Sequence, residues 1–176
     1  MKKFFGIVGG VVLLIIAGLM AALIGARFHD GPIGIVAGGP FSTGEVHSGA
    51  EPDWSFVRDQ QTVEFQSLDP VRSRTTWIIE HEGKIYIPSG YMTTTWGKIW
   101  KQWPIEAEQD GRTILRVNGK LYDRQLVRIK EGPMLKPILA RLGQKYFGTP
   151  VTDVAEVPTE QVESGYLWLF ELAPPT

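Results

Sequence analysis

The hydrophobic residues of this chain change their spacing several times, and each spacing predicts a different element. From Phe4 to Ala26 they run almost unbroken, in Phe, Ile, Val, Leu, Ala, Met and Gly with no charged side chain. At 1.5 Å per residue a helix of that length crosses a hydrocarbon core of about 30 Å. Lys2 and Lys3 precede the run, whereas Arg27 beyond it is offset by Asp30. That asymmetry predicts a cytoplasmic N-terminus and an extracytoplasmic domain, periplasmic in a bacterium. The run is longer than the apolar stretch of about 7–15 residues in a signal peptide, and Ile24 before Ala26 makes a poor cleavage site, so the helix is expected to stay as an anchor in the lipid bilayer.

Turn chemistry dominates residues 27–60, with Gly31-Pro32, Gly38-Gly39-Pro40, Gly44, Gly49 and Glu51-Pro52. The apolar stretch among them, Ile33 to Ala37, is expected as a short edge strand, and Trp54 and Phe56 alternate as the inward face of a strand would. Period two sets in at Thr62, where Val63 and Phe65 alternate with Glu64 and Gln66. Asp69-Pro70 interrupts it. Val71 to Glu80 and Ile85 to Ile87, separated by His81-Glu82-Gly83-Lys84, read as a hairpin. Arg112 to Val117 and Lys120 to Ile129 flank Asn118-Gly119, a strong signal for a second hairpin. Tyr166 to Glu171 is apolar on both faces, as a strand covered on both sides would be.

Two stretches have helical spacing instead. Trp96, Ile99, Trp100 and Trp103 fall at i, i+3, i+4 and i+7, a stripe expected to face the core, with Lys98, Lys101 and Gln102 opposite. Thr93, Thr94 or Thr95 is available to cap this helix, and Pro104 is expected to end it. Met134, Leu135, Ile138, Leu139, Leu142, Tyr146 and Phe147 form a second stripe, behind a first-turn Pro133 and ending near Gly148.

Charge and composition narrow the chemistry. Setting aside Lys2 and Lys3, 16 basic side chains face 19 acidic ones, so the domain has no bulk attraction for nucleic acid. With no Cys, disulfides, thiolate metal sites and thiol nucleophiles are excluded. The three His, at 29, 47 and 81, are not grouped at metal-ligand spacing. His47, Ser48 and Asp53 sit near one another without a Gly-x-Ser-x-Gly elbow, and Gly38-Gly39-Pro40 lacks the strand-to-helix setting of a phosphate loop.

The order of elements predicts a small antiparallel barrel with helices over its openings, and hence a mainly β fold with helices plus one N-terminal transmembrane helix. The expected division is 1–27 as cytoplasmic tip and anchor, 28–60 as a Gly/Pro-rich lead-in with a first short strand, and 61–176 as the barrel.

Four segments go further: Arg72 to Ile79, Gly83 to Ser89, Trp96-Gly97-Lys98 to Trp103-Pro104, and Arg116 to Lys120. Through them Thr62 to Phe147 resembles the flavin-binding split-barrel superfamily typified by pyridoxamine 5′-phosphate oxidase, which includes deazaflavin-using nitroreductase relatives. The resemblance implies a split antiparallel β-barrel, FMN or a deazaflavin as cofactor, a homodimer with sites between protomers, and a two-electron reaction on a small molecule. It also implies cofactor contacts at Arg72 or Arg74, Thr75 or Thr76, Ser89 and Lys98. Guanidinium, ammonium and hydroxyl groups converging from neighbouring elements suit a phosphoryl group. Where the family ends its first strand in a lysine this chain has Glu80.

Which face of the strand holds Arg72 and Arg74 depends on register. Either both point at one anion, or both face solvent with Ser73 and Thr75 turned inward. Tyr91 and Met92, in the loop after Ser89, are placed to meet a ligand. The alternative to an oxidoreductase is a non-enzymatic module on the same barrel, holding haem, a lipid-derived molecule or a protein partner.

Overall fold

The computed structural model describes residues 2–150 and 153–175. The side chains of Lys2 and Lys3, on which the expected orientation rests, lie outside the described residues, as do Val151 and Thr152 in the loop after Pro150. The apolar run forms one continuous helix, α1 (Lys2–Ala26). Its segment Gly6–Ala26 has a mean hydropathy of 2.9, packs against nothing over most of its length, and is long enough to cross a membrane.

The rest is built on an antiparallel sheet. Its strands are β1 (Glu45–Val46), β2 (Thr62–Leu68), β3 (Val71–Trp77), β4 (Ile79–His81), β5 (Lys84–Ser89), β6 (Arg112–Val117), β7 (Lys120–Ile129) and β8 (Trp168–Ala173). The lateral order is β3-β2-β6-β7-β8-β5-β4, with β1 added in parallel to the start of β7. One edge of this sheet is β3 and the other is β4, yet only Ile78 separates them in the chain. The sheet therefore curls until its two edges meet, which makes a barrel split along one seam.

That seam corrects the expected first hairpin. Val71 to Glu80 is two strands: β3 pairs with β2 across Asp69-Pro70, and only β4 pairs with β5. The break falls at Ile78 because its backbone is satisfied by side chains of the second long helix, α4 (Leu135–Phe147). Ile78 N–H donates to Tyr146 Oη at 2.8 Å, and its carbonyl accepts from Lys145 Nζ at 2.8 Å. The β4–β5 turn at Glu82-Gly83 and the β6–β7 turn at Asn118-Gly119 both take positive φ, as tight hairpins of this hand require.

The barrel is filled by Phe65, Ile85, Ile87, Leu115 and Phe170, with Trp54 and Trp103 closing its ends. Trp54 arrives on a 3-10 turn, Trp54–Arg58, and not on the strand expected from its alternation with Phe56. A second core lies outside the sheet, where Ile138 and Leu142 of α4 cover Ile79, Tyr86 and Leu169. This accounts for β8 being apolar on both faces: Phe170 points into the barrel and Leu169 lies under α4. The helix ends at Gly148, whose φ of 63° suits a residue without Cβ. Pro133 lies ahead of the helix, and the proline of its first turn is Pro137.

The segment expected as a lead-in is fixed against the outer face of the sheet. Gly38 bridges Ser73 of β3, Phe41 N–H donates to Gln66 Oε1 at 2.6 Å, and Arg116 of β6 pairs with Asp30. Ile33 and Val36 bridge each other in a tight turn, so the apolar stretch is not an edge strand.

The tryptophan stripe also differs from expectation. It divides into α2 (Thr95–Trp100), capped by the Thr94 hydroxyl accepting from Gly97 N–H, and α3 (Trp103–Gln109). Pro104 lies in the first turn of α3, four residues beyond the end of α2 at Trp100. Having no N–H, it cannot serve the carbonyl of Trp100, so the helix stops there and restarts. Only Trp103 reaches the core; Trp96, Ile99 and Trp100 face outward.

Candidate functional site

The register of β3 decides where its arginines point. Arg74 stands directly opposite Phe65 and Arg72 opposite Ser67. Paired residues on neighbouring strands share a face, and Phe65 is wholly buried in the barrel, so Arg72, Arg74 and Thr76 lie on the inner side of an edge strand. Ser73 is turned the other way and buried under the glycine turn, its Oγ donating to Gly39 O at 2.6 Å.

Five of the six residues singled out from the sequence come together. Arg72, Arg74, Thr75, Thr76 and Ser89 line one cleft of about 370 Å³, with Lys101 beside them. That volume falls within the range of about 300–1,000 Å³ common for small-molecule sites. Thr75 reaches it around the open edge of β3. Lys98 is the exception: it sits on the exposed side of α2, away from the cleft, and Lys101 at the end of the same helix takes its place. The signal for Lys101 was present in the i, i+3 spacing of the two lysines.

Arg74 is the most constrained of these groups. Its side chain is 16% exposed, and it makes an ion pair with Glu106 of α3, at 3.6 Å. Among the described residues, its buried Nη1 has no hydrogen-bond partner, and Glu106 Oε2 likewise has none. Burial pulls the guanidinium down to about 10, a shift that Glu106 opposes and Arg72 reinforces. A buried donor left unpaired costs about 1–3 kcal/mol, so a hydrogen-bond acceptor placed beside Nη1 would be stabilised. Lys101 is also lowered by burial, and its Nζ lies 5.6 Å from the Tyr91 ring centroid. Ser89, fully buried, directs its Oγ to Met92 Sδ at 3.5 Å, a weak acceptor.

Along the barrel seam the cleft continues into an aromatic groove of about 580 Å³, sharing Thr75, Thr76, Pro88 and Lys101 with it. Trp77, Tyr91, Phe147 and Tyr166 line this groove. Trp77 is held flat by stacking on Tyr146, with ring centroids 4.4 Å apart and planes at 9°. Tyr91 meets Tyr166 edge-on at 5.2 Å. Tyr91 lines the groove, whereas Met92 is buried. Trp77 and Tyr166 could not be found from the sequence, because only the seam brings the end of β3 beside the loop before β8.

Glu80 does not face this site. Its carboxylate is buried apart from the cleft and groove linings, where it accepts from Arg58 Nε and from Gly83 N–H. Another cavity, of about 590 Å³, lies between Thr43, Glu64 and Arg116. Its arginine is already engaged by Asp30 and Glu64 and lies on the Phe41 ring, so little of its charge is available.

No family model matches the chain, and no curated protein does. Among solved structures, it is similar to the conserved hypothetical protein Rv2991 from Mycobacterium tuberculosis, at 15% identity and a TM-score of 0.47 over 69% of this chain and 77% of that one. It is also similar to a protein from Listeria innocua described as a candidate pyridoxamine 5′-phosphate oxidase, at 11% identity and a TM-score of 0.45 over 69% of this chain and 90% of that one. Likeness at this level carries no information about ligand or activity.

Proposed function

We propose that this chain is a membrane-anchored split-barrel protein that binds a phosphate-bearing planar cofactor, FMN or a deazaflavin, along the barrel seam and uses it for a two-electron reaction on a small molecule. The observation that carries this reading is the unpaired Nη1 of Arg74, buried in a cleft that opens onto an aromatic groove. Arg72, Arg74 and Lys101 supply cationic donors for a phosphate, and Ser89 and Thr76 supply hydroxyls. Trp77, Tyr91 and Tyr166 supply apolar surface for a flat ring. The cofactor, once bound, supplies the hydride chemistry; the protein's part is to fix its phosphate and shield its ring from water.

Because the groove runs along the open edge of β3, a second copy of the chain would complete its wall, in keeping with the homodimer that the family resemblance implies. α1 is read as the anchor, with the barrel outside the cytoplasm. One observation favours a second reading, a lipid-derived ligand held without catalysis: the cleft mouth carries Leu23, Ile35, Ile99 and Trp100.

The test is an ultraviolet–visible spectrum of the full-length protein purified gently in detergent from its native host, followed by titration with FMN. Flavin or deazaflavin bands support the first reading. A colourless protein that also fails to bind added FMN rejects it, and haem bands would replace it with the binding module.

A further inference from the structure

Three large apolar side chains of α2 have no place in the barrel. Trp96, Ile99 and Trp100 are 81%, 66% and 65% exposed, and at i, i+3 and i+4 they share one face of the helix. Ile35, in the Ile33–Val36 turn, lines the same cleft as Ile99 and Trp100 and is 89% exposed. Single exposed apolar residues are ordinary, but a cluster of four marks an interaction surface.

Its position identifies the occupant. Ile35, Ile99 and Trp100 line the same cleft as Leu23 and Arg27, at the end of α1. Leu23 lies inside the Gly6–Ala26 apolar segment, about 4.5 Å of helix rise from its end. Side chains gathered around Leu23 are therefore level with the last turn of a membrane-crossing helix, at the boundary between acyl chains and headgroups. Tryptophan is enriched at that depth, where its ring meets hydrocarbon and its N–H meets water. The local charge agrees: no Asp or Glu occurs from Gly83 to Ile105, whereas Lys84, Lys98 and Lys101 do, and Arg27 joins the last two beside the cluster. A basic, acid-free stretch suits the phosphates of lipid headgroups.

The attachment of α1 to the barrel leaves little slack. Gly39 N–H donates to His29 O at 3.1 Å, and a Cβ on Gly38 would meet the Gly31 carbonyl oxygen at 1.8 Å.

We propose that the outer face of α2 and the Ile33–Val36 turn are seated in the bilayer surface, with Trp96, Ile99 and Trp100 at the acyl–headgroup boundary and Lys98 among the phosphates. This rests on the reading of α1 as a membrane span. The barrel is then held to the membrane at two places, and the mouth of the basic cleft opens at headgroup level.

The experiment is tryptophan emission of the full-length chain in phosphatidylcholine–phosphatidylglycerol vesicles, with and without lipids brominated near the glycerol end of their acyl chains. Native protein is compared with the Trp96→Phe/Trp100→Phe variant. The expected result is strong quenching that falls about two-fold or more in the variant, as befits fluorophores at the interface, while both proteins stay with the vesicles after an alkaline carbonate wash. Equal quenching in both, with both retained, overturns the proposal. Absence of quenching together with a chemically crosslinked dimer overturns it in favour of a second copy on this face. Release of both proteins by the wash overturns the anchor itself, and the surface contact with it.

Discussion

Arg116 Nη1 lies 2.8 Å from Asp30 Oδ1, joining the first residues after the apolar helix to the middle of the barrel sheet. Asp30 also accepts from the Thr43 hydroxyl and from Ser42 N–H, and Arg116 reaches Glu64. The Thr43 hydroxyl, then Ser42 N–H and Arg116, hold the Asp30 carboxyl far below the usual carboxylate range.

A group with a depressed folded-state pKa contributes stability that is present above its unfolded pKa and lost as pH falls toward the folded one. Asp30→Asn should therefore cost about 1–2 kcal/mol at neutral pH, given the partial exposure of the pair. The loss should shrink as pH drops below about 4, where the native chain begins to forfeit the same contribution. Thermal unfolding of both proteins in detergent across pH 2–7 checks this, and parallel curves throughout would contradict it.

Because the cleft gathers Arg74 and Lys101 but not Lys98, the three should separate in binding. Arg74→Ala is expected to weaken FMN about 10–100-fold, the worth of a charge-assisted hydrogen bond. Lys101→Ala should weaken it in the same direction, and Lys98→Ala should leave it unchanged. Fluorescence titration with FMN reads all three, and a loss at Lys98 equal to that at Arg74 would relocate the phosphate.

The carboxylate of Glu80 is spent on Arg58 and Gly83. Glu80→Ala should destabilise the fold by about 1–3 kcal/mol through the lost buried contacts while leaving FMN affinity as it was. Unfolding and titration on the same sample separate the two effects; weakened binding at full stability would show that Glu80 does act on the site.

At the seam, Tyr146 and Lys145 together satisfy the backbone of Ile78. Tyr146 Oη accepts from Ile78 N–H and lies 2.8 Å from the carbonyls of Gln61 and Ile78. Tyr146→Phe keeps the ring under Trp77 and leaves the buried Ile78 amide unpaired. A loss of about 1–3 kcal/mol is expected, with faster amide exchange at Ile78 as the local readout.

The sequence by itself determined the elements whose causes are local. The apolar run of α1, the Asn118-Gly119 hairpin, the amphipathic α4 with its Gly148 end and the two-sided apolarity of β8 all arise from periodicity and turn chemistry within a few residues. The resemblance of their segments singled out Arg72, Arg74, Thr75, Thr76, Ser89 and Lys98 as candidates, of which the structure sets Lys98 apart from the cleft. Only the tertiary structure decided what depends on distant partners. The pairing of Arg74 with Phe65 turned the arginines inward, because a strand's faces are exchanged by a one-residue shift of register. The division of Val71 to Glu80 at Ile78 required Tyr146 and Lys145, 67 and more residues away, to satisfy the backbone there. The outward face of Trp96, Ile99 and Trp100 was equally hidden, since helical spacing shows that a stripe exists but not what covers it.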